Sequence, residues 1–374
     1  MIKVINVISD TNIGGAGKCL LTYCAHADKN KFDITVILPS KSLLKPHLDE
    51  LGIRTIEINA MSDKSLDFGA ISQLTKIFRQ EKPDIVHSHA SMSARIAAKR
   101  AHAKIIYTRH SVFPPSARIS KGIGKKINGF INNHYADGII AVAEAAKQNL
   151  LDTGVSEKKI KVILNGVSPL TAMSDEQKLQ SRRSFGISDG EKVISIVARL
   201  NPVKGHEYFI RAAKIVADKG IKAKFIIAGT GEAEGRLKQL SSELGLDDTV
   251  IFAGFVDNVE PLMNISDIQV NASFGTEATS LSLLEGMSLG VPAVVSDFGG
   301  NPGVISNEKN GLIVPQRNAE AIAEALIRLL NDDKLMSDMK KNALEIFDKK
   351  FKAEVMSRNI EAFYMQILNN GGKK

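Results

Sequence analysis

The feature that most constrains the fold is an alternation of short, β-branched segments with amphipathic segments, and it occurs twice in 374 residues. Helical segments such as Ala16–Ala27 and Leu66–Gln80 fall between candidate strands. In the first half these strands are Lys3–Ile8, Asp33–Leu38, Arg54–Ile58, Asp84–His87, Lys104–Thr108, Gly138–Val142 and Lys161–Leu164. In the second half they are Lys192–Ala198, Ala223–Ala228, Thr249–Ala253, Ile268–Asn271, Ala293–Ser296 and Gly311–Val314. This pattern predicts an α/β protein with two parallel sheets built from βαβ units.

The boundaries between domains follow from where the alternation stops. A polar segment at 168–190 has the composition of a linker followed by a helix, so we place one domain at 1–168 and a second at 169–350. Apolar residues recur at helical spacing in the last segment, 351–374, and predict a helix at about Lys352–Leu368. This helix either packs on its own domain or crosses back to the N-terminal domain, and we expect the crossing. Two such domains would face each other across a cleft at the carboxyl ends of their strands.

Composition and the N-terminus indicate a cytoplasmic protein. Hydrophobic residues make up 44% and charged residues 24%, and no apolar run approaches the roughly 18–20 residues of a membrane span. The segment Met1–Ser9 reaches Asp10 too soon for a signal peptide. Cys19 and Cys24 fit neither a disulfide framework nor a metal site.

Positive charge is concentrated in one stretch of the first half. Residues 1–168 carry 24 Lys and Arg against 14 Asp and Glu, and residues 91–130 carry nine basic residues and no acidic one. We place Arg118, Lys121, Lys125 and Lys126 on one helix with an apolar side formed by Ile119, Ile123, Ile127 and Phe130. Such a face contacts an acceptor or the anionic inner face of the cell membrane, or is simply solvated. Few aromatics are interleaved with the charges, which argues against nucleic acid.

The segment 273–292 holds two glutamates around the start of a predicted helix. Glu277 falls in the loop after the strand Ile268–Asn271, and Glu285 lies about one turn inside the helix that follows. Unpaired N–H groups at Ser280–Leu283 suit a phosphate, and a carboxylate accepts hydrogen bonds from vicinal hydroxyls. A phosphate site flanked by two carboxylates fits a sugar nucleotide, although two exposed glutamates are more often simply solvated.

Two basic residues follow the first strand of the second half. Arg199 and Lys204 stand at the carboxyl end of a strand, where a guanidinium and an ammonium together match a diphosphate. Alone, the pair is equally consistent with surface charge. The glycines beginning at Gly229 are similar to a dinucleotide fingerprint, but the third glycine is one place late and no acidic residue follows to hold a ribose.

Taken together, these motifs resemble the retaining glycosyltransferases of the GT-B fold that form family 4. The resemblance covers nearly the whole chain. It rests on the spacing of Glu277 and Glu285 ahead of Gly290-Val291-Pro292, and on a set of shorter motifs in the family's order: Gly14-Gly15, His110, Asn165-Gly166-Val167, Arg199-Leu200 with Lys204-Gly205, Gly229-Thr230-Gly231, Gly254-Phe255-Val256, Gly299-Gly300 and Asn301-Pro302. It implies the GT-B fold, two Rossmann-like domains with a C-terminal helix that crosses back.

The resemblance also implies a role for each matching residue. Arg199 and Lys204 would bind the diphosphate in place of a metal, so neither a metal nor a further cofactor is expected beside the nucleotide-sugar co-substrate. Glu285 would hold the ribose and Glu277 the transferred sugar. His110 would contact that sugar near the reacting carbon. The remaining donor contacts would come from Gly14, Gly15, Gly229, Val256, Ser280 and Leu281.

The implied reaction is transfer of a sugar, with retention of configuration, to a saccharide or lipid-linked acceptor. UDP is the commoner nucleotide in the family, and the leaving diphosphate would itself take the acceptor's proton. One departure is Ala278-Thr279-Ser280 where the family often has Gly-Phe-Gly or Gly-Phe-Ser. It leaves the sugar open and suggests that Glu277, beside it, helps to select that sugar. A sugar-nucleotide epimerase and a non-catalytic nucleotide-sugar-binding subunit remain alternatives.

Overall fold

A computed structural model describes residues 1–59 and 66–370 and divides them into two compact units. The first unit contains Met1–Gly166 together with the segment from Ala353 onward, and the second contains Val167–Lys352. The boundaries predicted at 168 and 350 lie within two residues of these divisions.

The first unit is built on a parallel sheet of seven strands. The strands are β1 (Ile2–Ile8), β2 (Phe32–Pro39), β3 (Arg54–Ile58), β4 (Ile85–His89), β5 (Lys104–Arg109), β6 (Gly138–Ala141) and β7 (Ile160–Val162), in the order β3-β2-β1-β4-β5-β6-β7. The helices are α1 (Gly15–His26), α2 (Leu44–Glu50), α3 (Phe68–Glu81), α4 (Met92–Arg100), α5 (Ala117–Ser120), α6 (Gly122–His134) and α7 (Glu144–Asp152). The crossovers reverse direction between β1 and β4, which makes that point the expected ligand crevice of the sheet.

The second unit repeats the design with a parallel sheet of six strands. The strands are β8 (Lys192–Val197), β9 (Ala223–Ala228), β10 (Val250–Gly254), β11 (Ile268–Asn271), β12 (Ala293–Ser296) and β13 (Gly311–Val314), in the order β10-β9-β8-β11-β12-β13. The helices are α8 (Asp175–Ser184), α9 (His206–Asp218), α10 (Glu234–Glu243), α11 (Glu260–Ile265), α12 (Leu281–Ser288), α13 (Asn301–Val304), α14 (Ala319–Asn331) and α15 (Asp333–Lys350). Here the reversal lies between β8 and β11.

Helix starts are encoded locally by residues that accept hydrogen bonds from the first turn. Ser174 and Gln177 form a reciprocal capping box at the start of α8. The side chains of Asp67, Asn318 and Asp332 likewise cap α3, α14 and α15. The sequence places the helices, and burial of their apolar faces then supplies most of their stability.

The C-terminal helix α16 (Ala353–Asn369) belongs to the first unit, as the crossing-helix prediction requires. Its buried face, including Met356, Ile360 and Phe363, joins the core formed by β1, β2 and α1. The hydroxyl of Tyr364 lies 2.7 Å from Nδ1 of His87 on β4, deep in that core. An apolar stripe and one buried polar bond therefore fix the last helix to the first sheet. Among the residues that the structure describes, no helix is long and apolar enough to cross a membrane.

Candidate donor-binding and active site

In the second unit, two loops meet at the point where the strand order reverses. The loop after β8 carries Arg199 and Lys204, and the loop after β11 carries Glu277. Because β8 and β11 are neighbours in a parallel sheet, their carboxyl ends open on the same crevice. Sequence positions more than seventy residues apart are therefore brought to one place.

The two loops interlock through glycines and backbone bonds. A Cβ on Gly205 would lie 2.1 Å from the carbonyl oxygen of Ala272, and Gly205 has a φ of +74°, so only glycine suits this position. The backbone N–H of Phe274 donates to the carbonyl of Val203 over 2.9 Å. The Lys-Gly and Phe-Gly dipeptides of these loops thus serve close packing, which fixes the side chains beside them.

Glu277 and Lys204 form an ion pair at the centre of this crevice. Lys204 Nζ lies 2.9 Å from Glu277 Oε2 and also donates to the carbonyl of Thr276 over 3.2 Å. Asn271 Nδ2 and Ser273 Oγ each donate to the same Oε2 over 3.2 Å. Glu277 is only 8% exposed, so three donors, one of them charged, offset the desolvation of this carboxylate.

The Glu277 loop is also held through its backbone. The N–H of Gly300 donates to the carbonyl of Glu277 over 3.0 Å, and a Cβ on Gly299 would lie 2.1 Å from that oxygen. Asn301 is buried and donates to Ser296 and to Asn271. The Gly-Gly-Asn motif therefore supports Glu277 from behind.

The sequence did not predict that Asn271, Ser273 and Asn301 take part in the hydrogen bonds around Glu277. A signal was available for Asn271 and Ser273, because polar residues directly after a buried parallel strand stand at the ligand edge of the sheet. The Asn301-Pro302 motif was noted in the sequence, but its connection to Glu277 was not.

Helix α12 begins where the sequence predicts it, between the two glutamates. Ser280 caps the helix, its hydroxyl accepting from the N–H of Leu283 over 3.4 Å. Ser282 donates to the carbonyl of Val197 at the end of β8 over 3.0 Å, which fixes the helix start against the neighbouring strand. The N–H groups of the first turn and the helix dipole there favour an anion. Glu285 lies in the second turn and is partly buried.

The other donor-binding candidates of this unit lie on adjacent loops of the same sheet edge. Arg199 lies two residues after the end of β8 and is solvent-exposed. The N–H of Gly229, after β9, donates to the carbonyl of Gly254 at the end of β10 over 2.7 Å. Val256 lies on the loop that follows β10, and its partly buried side chain packs against the hydrophobic core beside that strand. Arg199, Gly229 and Val256 thus extend the crevice along the strand ends.

The first unit presents a second group of candidates at its own reversal point. Gly14 caps α1, and a Cβ on Gly15 would have open space around it. The helix N-terminus is therefore accessible to a ligand at Gly15, as the resemblance requires.

His110 belongs to a stack of three histidines beside β1, β4 and β5. Its Nε2 lies 2.9 Å from Nδ1 of His89, and His89 Nε2 lies 3.3 Å from Oδ1 of Asn6. With the amide oxygen of Asn6 accepting, His89 Nδ1 accepts from His110, which leaves Nδ1 of His110 as an acceptor. Burial lowers the pKa of His110 to about 4 and that of His87 to about 3, and it also holds the pKa of His89 well below its usual value. His110 is therefore a neutral hydrogen-bonding group at pH 7.

The prediction that the basic residues lie on one helix is wrong. Arg118 lies on α5 and Lys125 and Lys126 on α6, while Lys121 between them is extended, with φ −128° and ψ 153°. The chain turns back here because Gly124 packs against the carbonyl of Arg118, where a Cβ would approach to 1.9 Å. Arg118, Lys121 and Lys126 are exposed, whereas Lys125 is partly buried.

Comparison with known proteins covers both units. The family model described as Glycosyltransferase Family 4 matches residues 13–169, and the model described as Glycosyl transferases group 1 matches residues 177–346. An uncharacterized glycosyltransferase of Methanocaldococcus jannaschii is 31% identical over 281 residues, 71% of this chain and 72% of its own. The UDP-Gal:alpha-D-GlcNAc-diphosphoundecaprenol alpha-1,3-galactosyltransferase of Escherichia coli is 27% identical over 358 residues, 91% of each chain.

Solved structures show the same fold. The complex of Anabaena HepE with UDP-glucose superimposes with a TM-score of 0.86 at 21% identity, covering 98% of this chain and 100% of that one. A glycosyltransferase of Rickettsia africae superimposes with a TM-score of 0.83 at 22% identity, covering 99% of each chain. Two Rossmann-like units, a helix that returns to the first, and matches to both family models agree: the chain belongs to glycosyltransferase family 4 and has the GT-B fold.

Proposed function

We propose that this glycosyltransferase moves a sugar from a UDP-sugar to a lipid-linked or polysaccharide acceptor of the cell envelope, with retention of configuration and without a metal ion. The observation that carries the proposal is the Lys204–Glu277 pair beside the start of α12. It places a carboxylate, an ammonium and a helix N-terminus within one crevice, which are the groups that a sugar diphosphate needs.

Each group in the crevice has a role in binding the donor. The first N–H groups of α12, at Ser280 and Leu281, and the exposed guanidinium of Arg199 bind the diphosphate. Lys204, whose ammonium is paired with Glu277, also contacts the diphosphate in this proposal. Three donors occupy Oε2 of Glu277. Oε1 is the oxygen that accepts from sugar hydroxyls, while Glu285 binds the ribose and Val256 lies at the base.

The charges of the protein support a metal-independent reaction. A diphosphate leaving group develops negative charge as the glycosidic bond breaks, and preorganised cations and N–H groups stabilise it. Arg199, Lys204 and the α12 dipole supply such charge from the protein itself.

In the reaction, the acceptor oxygen replaces the diphosphate on the same face of the transferred sugar. The bond from the anomeric carbon to the diphosphate oxygen breaks, the bond to the acceptor oxygen forms on the same face, and the acceptor's proton passes to the leaving diphosphate. The protein contributes position and charge. Glu277 is held as an acceptor by Lys204, Asn271 and Ser273, which argues against the acid/base carboxylate that an epimerase needs.

Relatives support the choice of donor and acceptor. The Anabaena structure contains UDP-glucose, and the name of the Escherichia coli relative specifies UDP-Gal and a diphosphoundecaprenol acceptor. These properties belong to those proteins, and we extend them to this chain as a proposal.

The test is a UDP-release assay with a panel of UDP-sugars and polyprenyl-diphosphate saccharides, with and without EDTA. We expect turnover that EDTA leaves unchanged and a product whose anomeric configuration, read by NMR coupling, equals that of the donor. Arg199→Ala should lower turnover by about 10²–10³-fold, since it removes one charged donor to the leaving group. The control is Arg211→Ala, an exposed arginine on α9.

Three results would count against this proposal. Inverted product would refute retention, and loss of activity in EDTA would refute metal independence. Equal activity of Arg199→Ala and Arg211→Ala would remove the diphosphate assignment.

A further inference from the structure

The second unit contains a cavity of about 240 Å³ between the N-terminal ends of α9 and α10. The polar and aromatic residues that line it are Asn201, His206, Glu207, Glu232, Arg236 and Phe274. Asn201, Glu232 and Arg236 are exposed, so the cavity opens to solvent. None of the described residues that line this cavity was assigned to the donor, so it is a separate site.

Backbone hydrogen bonds fix the walls of this cavity. The N–H of Leu200 donates to the carbonyl of Thr230 over 2.9 Å, and the N–H of Ala233 donates to the carbonyl of Leu200 over 3.0 Å. These two bonds join the loop after β8 to the loop after β9. A ligand therefore meets a preformed surface and does not have to order the loops when it binds.

His206 brings an unsatisfied polar group to the cavity wall. It is 2% exposed, and neither ring nitrogen has a hydrogen-bond partner within the described part of the chain. Burial and the ammonium of Lys204 lower the pKa of His206 to about 4, whereas the nearby carbonyl of Ala198 acts to raise it. The ring is therefore neutral at pH 7, and an N–H directed at Ala198 leaves the other nitrogen as an acceptor. A buried acceptor of this kind calls for a bound partner.

The charges of the cavity favour a neutral ligand that donates hydrogen bonds. Glu207 accepts from Arg236 over 3.0 Å and Glu232 accepts from Asn201 over 3.1 Å. Each carboxylate has about four lone-pair sites, so each can also accept from a ligand hydroxyl. Glu207 and Glu234 in the first turns offset the dipoles of α9 and α10. With two lining carboxylates against one guanidinium, the cavity repels a phosphate or a nucleotide.

Phe274 gives the cavity a rigid aromatic wall. The guanidinium of Arg317 lies over the ring at 4.2 Å, and Tyr208 meets it edge-on with ring centroids 6.0 Å apart. The weakly positive C–H groups of a sugar ring pack well against the negative face of an aromatic ring. Since a water molecule occupies about 30 Å³ in the liquid, the cavity has room for one sugar ring.

We propose that this cavity binds one neutral pyranose ring, either as a free sugar or as one unit of a longer saccharide. Its hydroxyl groups would donate to Glu232, Glu207 and His206, and its C–H face would pack against Phe274. The inference concerns a cavity of the second unit alone, and it does not depend on the proposed reaction.

The first experiment is saturation-transfer difference NMR, with and without saturating UDP, on the methyl α-D-pyranosides of glucose, galactose, mannose and N-acetylglucosamine. We expect transfer to at least one of these glycosides, and we expect it to persist in UDP. Transfer to none of the four would overturn the proposal, as would transfer to ethylammonium alone, which would show a cation site. Loss of transfer on adding UDP would also overturn it, because the sugar would then lie in the donor crevice.

The second experiment locates the sugar by substitution. Glu232→Ala should raise the dissociation constant of the bound glycoside by roughly ten- to a hundredfold, since it removes a hydrogen bond to a charged group. His206→Phe should raise it by about tenfold or slightly less, because it removes a neutral acceptor. The control is Glu243→Ala, an exposed glutamate at the other end of α10. Equal dissociation constants in all three variants would place the sugar elsewhere and overturn the proposal.

A last pair of measurements tests the role of His206 and distinguishes the two sources of the sugar. His206→Phe keeps a ring and removes only nitrogens that have no partner, so its melting temperature should equal or exceed that of the wild type. A clear fall would show that the protein itself satisfies these nitrogens and would contradict the assignment. An α-linked trisaccharide that binds at least tenfold more tightly than its methyl glycoside supports a saccharide unit, and equal affinity supports a free sugar.

Discussion

The buried ion pair between Lys204 and Glu277 gives the sharpest test of the donor crevice. Lys204→Met keeps the apolar stem of the side chain and removes only the ammonium. Glu277, 8% exposed, is then left with the two neutral donors Asn271 and Ser273. Removing one partner of a buried pair costs about 3–5 kcal/mol, and the two remaining hydrogen bonds favour the lower end, about 3 kcal/mol.

The expected shift follows from the size of the unit that contains the pair. For a unit such as Val167–Lys352, 1 kcal/mol corresponds to about 2–4 °C in melting temperature, so Lys204→Met should lower one calorimetric transition by about 6–12 °C. The control is Lys214→Met, which breaks an exposed pair with Asp218 in the same unit. That pair is worth about 0.3–0.5 kcal/mol, which corresponds to at most about 2 °C.

Two measurements test whether the Lys204–Glu277 pair is buried and mutually stabilising. The double variant Lys204→Met/Glu277→Gln should recover most of the lost stability, because it removes the unpaired charge and keeps an acceptor for Asn271 and Ser273. If Lys204→Met melts within the range of Lys214→Met, the pair is solvated and the account of the crevice is refuted.

Three further predictions follow from burial, glycine packing and ligand linkage. Burial lowers the pKa of four histidines, His87, His89, His110 and His206, so they stay neutral in the folded protein. In the unfolded chain each of them takes up a proton as the pH drops from 7 to 5. The free energy of unfolding should therefore fall over this pH range, by about 2 kcal/mol for each such histidine. Urea titrations at the two pH values measure this, and a flat profile would contradict it. Gly299→Ala should destabilise more than Gly220→Ala by about 1–3 kcal/mol, because both have positive φ but only Gly299 packs against the carbonyl of Glu277; equal losses in thermal melts would show that the contact is relaxed. UDP at about 100 times its dissociation constant should add about 2.7 kcal/mol to stability, and Arg199→Ala should reduce that gain at the same concentration.

Much of the fold was readable from local pattern. The alternation predicted both sheets, with strand boundaries that agree with the structure to within one or two residues, because parallel strands are buried on both faces and read as short apolar runs. Spacing placed Glu277 in a loop and Glu285 inside a helix, and both positions hold in the structure. Apolar residues at helical spacing likewise predicted the last helix at about Lys352–Leu368, and α16 spans Ala353–Asn369.

Contacts between distant segments were decided by the tertiary structure alone. No local signal joins Lys204 to Glu277, because their meeting depends on β8 and β11 being neighbours at the reversal of strand order. The same holds for the bond between His110 and His89, which stand after and at the end of adjacent strands. Helix α6 is the clearest case: its sequence predicts an amphipathic helix with an apolar side, and only packing against Gly154 and Thr153 shows that this side faces outward. A sequence encodes which residues share a face, whereas the direction of that face is set by what the rest of the chain packs against.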